Sequence, residues 1–352
     1  MTKSTTAETF YIGLDVGQKS IAVCAMNEKK TKVRQHEIVR SQEALRKLLK
    51  GYGPSKIVLE AGAHSLWISE FLVRLGHTVM VCDPAAVHHA TKGRLKNDRR
   101  DAHMLAELLR TNSALLNPVK LRPMEVHADL GVARGRNALV ETRTALVNSV
   151  RGLLKPFDVD LPRNCTDTFS KKVRTMIPKH LMPMVEGILN SLDTIQIQIV
   201  AYDKQIDRLA TKKYPVSQRL AQVAGVGNLT ALTYVLTIWD IDRFRDTRSV
   251  GAFLGLCPGL YESGNASPEM RITRRGDILL RKLLVGSAHW ILGPFGKPCD
   301  LREKGMALQA RGGKWAKKRA VVAIARRLAI LLAALWKSNA EYEPCRRSKV
   351  AA

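Results

Sequence analysis

Acidic side chains are scarce in this chain of 352 residues: 31 Asp plus Glu stand against 57 Lys plus Arg, a formal net charge of +26. That deficit leaves a polyanion as the natural partner. Cysteine pairs are missing as well. Cys24, Cys82, Cys165, Cys257, Cys299 and Cys345 lie far apart with no ligand-type spacing, which excludes a zinc ribbon or a disulfide framework and fits a reducing compartment. Nor is there a long hydrophobic run. The opening residues, Met1 to Thr9, carry no apolar signal segment, and the most apolar late stretch, Ala320 to Trp336, is interrupted by Arg326 and Arg327. That stretch reads as an amphipathic helix, so no membrane partner is expected.

What is present is a dispersed basic track. Lys and Arg cluster at Lys92 to Arg100, Arg134 to Arg151, Arg271 to Lys282 and Gly312 to Arg327, a spread that suits a long nucleic-acid path better than one sticky tail. Arg94, Lys96, Arg99, Arg100, Arg271, Arg274, Arg275, Lys314 and Lys317 are the candidate phosphate contacts. The 45% hydrophobic content is ample for packed cores, and a chain of this length holds about two to three domains.

From Phe10 to Val119 short β-branched runs alternate with helical periodicity. Tyr11 to Asp15, Ile21 to Asn27 and Lys32 to Val39 read as an antiparallel meander. A helix from Gln42 to Leu49 capped by Ser41, a strand Lys56 to Glu60, a helix Leu66 to Leu75 ending at Gly76, and a strand His77 to Cys82 follow. Three strands and then alternating helix and strand predict a ribonuclease-H-like α/β layer with a mixed sheet. Met124 to Phe157 and Lys171 to Lys212 carry helical stripes, Leu139, Leu146, Val150 and Leu153 on one and Ile188, Leu192, Ile195, Ile199, Ile206 and Leu209 on the other. They predict a helical hairpin or coiled-coil arm, serving as a spacer or, through Arg134, Arg136, Arg143 and Arg151, as a nucleic-acid contact. The predicted organisation is an α/β domain over 1–120, a helical arm over 121–213 and a helical C-terminal domain over 214–352.

Within this basic background four acids stand out. Asp98 and Asp101 are three apart at the start of a helical pattern, which puts both carboxylates on one face, where they repel unless a cation sits between them. Asp15 and Glu60 each end a β-like run. Four carboxylates from two strands and a helix suggest a divalent-metal site of the phosphodiester-cutting kind. Asp83 also follows a strand, but Pro84 comes next and a helical pattern begins, so it reads as an N-cap. His88 and His89 point in different directions on a helix and do not suggest a paired metal site.

In the last third, Gly225 and Gly227 form a Gly-x-Gly turn between helices, as in a helix-hairpin-helix unit whose backbone N–H groups can approach a phosphate. Ser263, between Glu262 and Gly264, reads from the residues alone as a turn serine. Gly13-Leu-Asp-Val-Gly-Gln-Lys-Ser20 looks like the first phosphate loop of actin-like kinases, but that class's second Asp-x-Gly loop and adenosine motif are not found. A non-catalytic RNA-binding scaffold leaves the four acids unexplained. A metal-dependent junction nuclease using water is the remaining alternative.

Taken together, Gly-Leu-Asp15, Val-Leu-Glu60-Ala-Gly, Lys96-Asn-Asp98-Arg-Arg-Asp101-Ala, Val-Ala-Gly-Val-Gly227, Phe-Leu-Gly-Leu-Cys-Pro-Gly-Leu-Tyr-Glu-Ser263-Gly and Gly276-Asp-Ile-Leu-Leu-Arg-Lys282 resemble the DEDD transposases of bacterial insertion sequences, the bridge-RNA-guided serine recombinases. The resemblance runs from about Tyr11 to Trp336. It implies a resolvase-type (RuvC-like) ribonuclease-H domain in which Asp15, Glu60, Asp98 and Asp101 hold magnesium, with manganese as a possible substitute. It also implies that Ser263 is the nucleophile that attacks a DNA phosphodiester. Its implied partners are donor and target DNA, a noncoding bridge RNA that specifies both, and further copies of the chain, a dimer assembling into a tetramer. A cytoplasmic protein, at the nucleoid when bound to DNA, is expected.

Overall fold

Residues 8–85, 97–162, 167–259 and 270–346 are described by the computed structural model, in which the chain divides into two units, Met1–Met124 and Glu125–Ala352. The first is built on five strands, β1 (Phe10–Val16), β2 (Ser20–Asn27), β3 (Val33–Val39), β4 (Lys56–Glu60) and β5 (Thr78–Cys82), in the order β3-β2-β1-β4-β5. β1, β2 and β3 pair antiparallel, whereas β4 runs parallel to β1 and β5 parallel to β4. The mixed sheet and the strand positions agree with the sequence reading to within a residue or two.

The period of two along the strands divides the sheet's faces cleanly. Phe10, Ile12 and Leu14 join Ile21, Val23, Ile57 and Leu59 in a core closed by Leu45 and Leu49 of α1 (Gln42–Leu49) and by Ile68, Phe71 and Leu72 of α2 (Ser65–Arg74). Tyr11, Ala22, Cys24, Val58 and Cys82 face the other way, onto Ala102, Leu105, Ala106 and Leu109 of α3 (Asp98–Thr111). Local signals set the ends: Ser41 Oγ accepts from Ala44 N at 3.1 Å, and Gly76 turns the chain after α2 with φ of 89°. Asp83 Oδ1 accepts from Ala85 N at 2.9 Å, the capping role read from Pro84. His88 and His89 lie outside the described residues.

In the second unit α4 (Met124–Leu154) and α6 (Met182–Arg208) lie antiparallel. Arg136 Nε donates to Asp203 at 2.6 Å and Arg143 Nη1 to Gln196 at 2.6 Å, so a rise of seven on one helix matches a fall of seven on the other. The expected stripes hold in part: Val150, Leu192, Ile199 and Ile206 are buried as read, but Val147 and Leu154 pack with Val185 and Leu189, while Leu153 is exposed and Leu146 and Ile188 are half-buried. Neighbouring apolar residues lie 100° apart on a helix, so sequence offers two adjacent stripes and the partner helix chooses one. α5 (Phe169–Arg174) covers the far end of this pair through Phe169 and Val173.

The remaining helices are α7 (Val216–Leu220), α8 (Asn228–Ile238), α9 (Ser249–Phe253), α10 (Ile278–Leu292), α11 (Asp300–Ala310) and α12 (Ala316–Ser338). α8 is buried along Thr230 to Ile238, and its Tyr234 hydroxyl donates to Ala329 O of α12 at 2.7 Å. α12 is amphipathic as expected, with Val321, Ile324, Leu328 and Leu332 in the core. No helix among the described residues is long and apolar enough to cross a membrane.

Candidate active site

The four acids reach one end of one sheet face by separate routes. Asp15 follows Tyr11 and Gly13 at spacing two and Glu60 follows Val58, so both belong to the α3 side of the sheet. Leu14 pairs with Leu59 in the parallel β1–β4 ladder, which sets Asp15 beside Glu60 at the C-terminal ends of adjacent strands. Gly13 brings the helix close: a Cβ there would collide with the Ala102 carbonyl and stand 2.6 Å from Ala106 N. The helix runs antiparallel to β1. Arg110, near its end, donates to Glu28 O at 3.1 Å just past the Phe10–Asn27 pair, while Arg99, near its start, bridges Glu37 at 3.6 Å in the row of Asp15 and Ala22. The first turn of α3, with Asp98 and Asp101, therefore lies at the strand ends that carry Asp15 and Glu60.

That turn is capped by Asn97, whose Oδ1 accepts from Arg99 N at 3.0 Å and Arg100 N at 3.4 Å. Asp98 is exposed and Asp101 half-buried; both also suit the positive end of the helix. Beside Glu60 sits the buried Cys82, its thiol pushed up to about 12 by burial and by the Glu60 and Asp83 carboxylates. It stays protonated and leaves the oxygens as the donors. Four carboxylates are the hard donor set that divalent cations take, and their shared face and level fit such an ion. Among the described residues no three His, Cys, Asp or Glu side chains converge on a single point that could hold one.

Ser263 lies outside the described residues, but the segments on either side of it form a closed stem. Gly259 N donates to Arg271 O at 3.0 Å, Thr273 N to Cys257 O at 2.9 Å and Arg274 N to Gly255 O at 3.2 Å, with Pro258 bridging Ile272. Two glycines allow the strands of this stem to touch. Gly255 and Gly276 adopt φ of 67° and 80°, and a Cβ on them would land on the Arg275 and Phe253 carbonyl oxygens. Asp277 locks the exit by capping α10, with Oδ1 accepting from Leu280 N at 2.8 Å and Oδ2 from Arg134 at 2.9 Å.

Comparison with known proteins gives the family. A family model described as transposase, of the DEDD type of IS110, matches residues 12–157, and a second, described as the transposase IS116/IS110/IS902 family, matches residues 217–295. The chain belongs to the IS110 family of insertion-sequence transposases. It is 28% identical over 338 residues to the transposase of insertion sequence element IS1111A from Coxiella burnetii, covering 94% of this chain and 90% of that one. A probable family 20 transposase of Pseudomonas aeruginosa is 29% identical over 343 residues, 95% and 98% of the two chains. The transposase of IS1328 from Yersinia enterocolitica is 28% identical over 283 residues, 79% and 82%. The first match spans Asp15, Glu60, Asp98 and Asp101, and a DEDD-type transposase domain points to divalent-metal use. As a transposase, the protein acts on DNA.

The basic residues of the transposase divide into two groups. Arg134, Arg136, Arg143 and Arg151, read from sequence as either spacer or contact residues, spend their charge inside the second unit. Their partners are Asp277, Asp203, Asp167 with Gln196, and the Pro162 carbonyl. Arg271, Arg274, Arg275, Lys314, Lys317, Arg99 and Arg100 are exposed. Arg94 and Lys96 lie outside the described residues. Gly225, with φ of 83°, lies against Trp290, Ile291 and Ser287 O, so its freedom serves the seating of the turn on α10. Gly227, where α8 begins, faces open space on a cleft of about 620 Å³ that Lys282 also lines. Sequence reading missed the Gly255–Gly276 stem, although the two glycines flank the motif that contains Ser263.

Proposed function

We propose that this transposase is an RNA-guided DNA recombinase working through a phosphoserine intermediate. In this reading Asp15, Glu60, Asp98 and Asp101 hold magnesium, or manganese in its place, in a ribonuclease-H-like domain. The observation that supports the proposal is the placement of these four acids toward one end of one sheet face, in a chain otherwise dominated by cations. Carboxylates so placed oppose phosphate binding unless a divalent ion lies between. When bound, that ion supplies charge neutralisation at the scissile phosphate and lowers the pKa of the attacking oxygen.

Ser263 Oγ loses its proton and forms a bond to phosphorus while a bridging P–O ester bond breaks, and the released strand end takes up a proton. Attack by another strand's hydroxyl reverses the exchange, rejoining DNA and restoring the serine. Arg271, Arg274 and Arg275 offset charge around the phosphate. A bridge RNA pairs with donor and target DNA, so the protein reads backbone and shape, which suits its dispersed charge. A coiled-coil arm, a helix-hairpin-helix at Gly225 to Gly227, and a dimer that pairs into a tetramer complete the reading.

The test is denaturing electrophoresis of end-labelled DNA after incubation with protein, guide RNA and magnesium. Wild type should give a protease-sensitive shifted band. Ser263→Ala should lose it while keeping RNA binding. Asp15→Asn, Glu60→Gln, Asp98→Asn and Asp101→Asn should each slow cleavage by roughly a hundredfold or more, several kcal/mol of charge stabilisation. Cutting without a covalent band, or a band from Ser263→Ala, would make water or another residue the nucleophile.

A further inference from the structure

Trp315 is an exposed indole on a firm mount. The residue is 48% exposed, yet its backbone is held where α12 begins: Arg319 N donates to Trp315 O at 2.9 Å and Ala316 N to Gly313 O at 3.0 Å. One turn further, Ala320 and Val321 are buried and anchor the helix. Gly312 and Gly313, with φ of 75° and 94°, turn the chain into this position and have open space around them. Lys314 and Lys318 place their ammonium groups 5.6 and 4.7 Å from the ring centroid. Arg311, Lys317 and Arg319 are also exposed, and no Asp or Glu occurs between Glu303 and Glu341.

We propose that Trp315 is a stacking platform for an unpaired base of single-stranded nucleic acid, with Lys314 and Lys318 taking the flanking phosphates. The charge selects a polyanion, and the ring selects which kind. A duplex hides the faces of its bases, so it can satisfy the lysines but not the indole, whereas a single strand satisfies both. Two cations already over the ring do not block this. An exposed cation–π pair is worth less than a stacked base, and a displaced ammonium finds the adjoining phosphate. The inference rests on the nucleic-acid reading above and adds to it a residue that separates unpaired from paired strands.

Fluorescence anisotropy of the full chain with labelled oligothymidylate, oligouridylate and a duplex of equal length tests it. Trp315→Ala should weaken single-strand binding about tenfold and Trp315→Phe should restore most of it. Duplex affinity should change less than about twofold, because its contacts are to phosphate. The thymidylate and uridylate arms tell whether the strand is DNA or RNA; loss in either supports the platform. A wild-type protein on an abasic strand should bind no better than Trp315→Ala does, which checks the role without relying on the variant's fold. Equal losses on duplex and single strand, or full single-strand affinity in Trp315→Ala, overturns the proposal while leaving the recombinase reading intact. A wild type that binds no oligonucleotide sinks both.

Discussion

His77 shows how one residue couples the first unit to pH. It is buried between α2 and β5, its Nδ1 accepts from Ser55 N at 3.3 Å, and burial holds its pKa below the usual histidine value. Above the unfolded value of about 6.5 both states are neutral and stability is complete. As pH falls through that value toward the lower folded one, the unfolded chain takes up the proton first, so stability is lost. The melting temperature of the protein should fall as pH drops below about 6.5, and His77→Gln should flatten that dependence. Glu107, whose carboxyl Arg110 holds below the ordinary range, contributes its loss only at more acidic pH. A wild-type profile that is flat from pH 7 to 5 would remove His77 as the cause.

Among the elements, the seating of α3 on β1 decides where Asp98 and Asp101 stand. The contact is backbone to backbone at Gly13, beneath Ala102 and Ala106. Gly13→Ala should force the helix outward at a cost of ~1–3 kcal/mol or more, because an added methyl has no void to enter. It should also carry the first turn away from Asp15 and Glu60. The expected result is a lower melting temperature together with a strand-cleavage loss larger than that of a comparably costly core substitution on the opposite face, such as Leu72→Ala. A variant that loses stability but cleaves as that control does would show that the helix position is not critical. The Gly255–Gly276 stem is a second case of the same device, close backbone approach made possible by absent side chains.

Across the whole molecule, charge is the dominant property. A net charge of +26 spread over the chain predicts binding that weakens steeply with salt. If about six or more phosphates are neutralised, the log-log slope should be steeper than roughly −5. Because Arg134, Arg136, Arg143 and Arg151 are paired within the second unit, replacing Arg136 should leave the slope unchanged and cost stability, about 0.2–1 kcal/mol for a partly exposed pair. Replacing Arg274 and Arg275 should flatten it. An unchanged slope in the Arg274 and Arg275 variant would place the DNA path elsewhere.

Local chemistry was legible in the sequence. Alternation marked the strands, Ser41 and Gly76 marked helix ends, Asp83 before Pro84 marked a cap, and rare acids at strand and helix ends marked a candidate site. Each depends on residues within a few positions of one another, which is the range over which pattern and capping operate. Which of two adjacent stripes α4 and α6 would bury, and which arginines would pair internally, depended on partners tens of residues away. The common level of Asp15, Glu60, Asp98 and Asp101 is the same kind of fact. It follows from the β1–β4 register and from the direction of α3 across Gly13, and both arise only when separate elements pack.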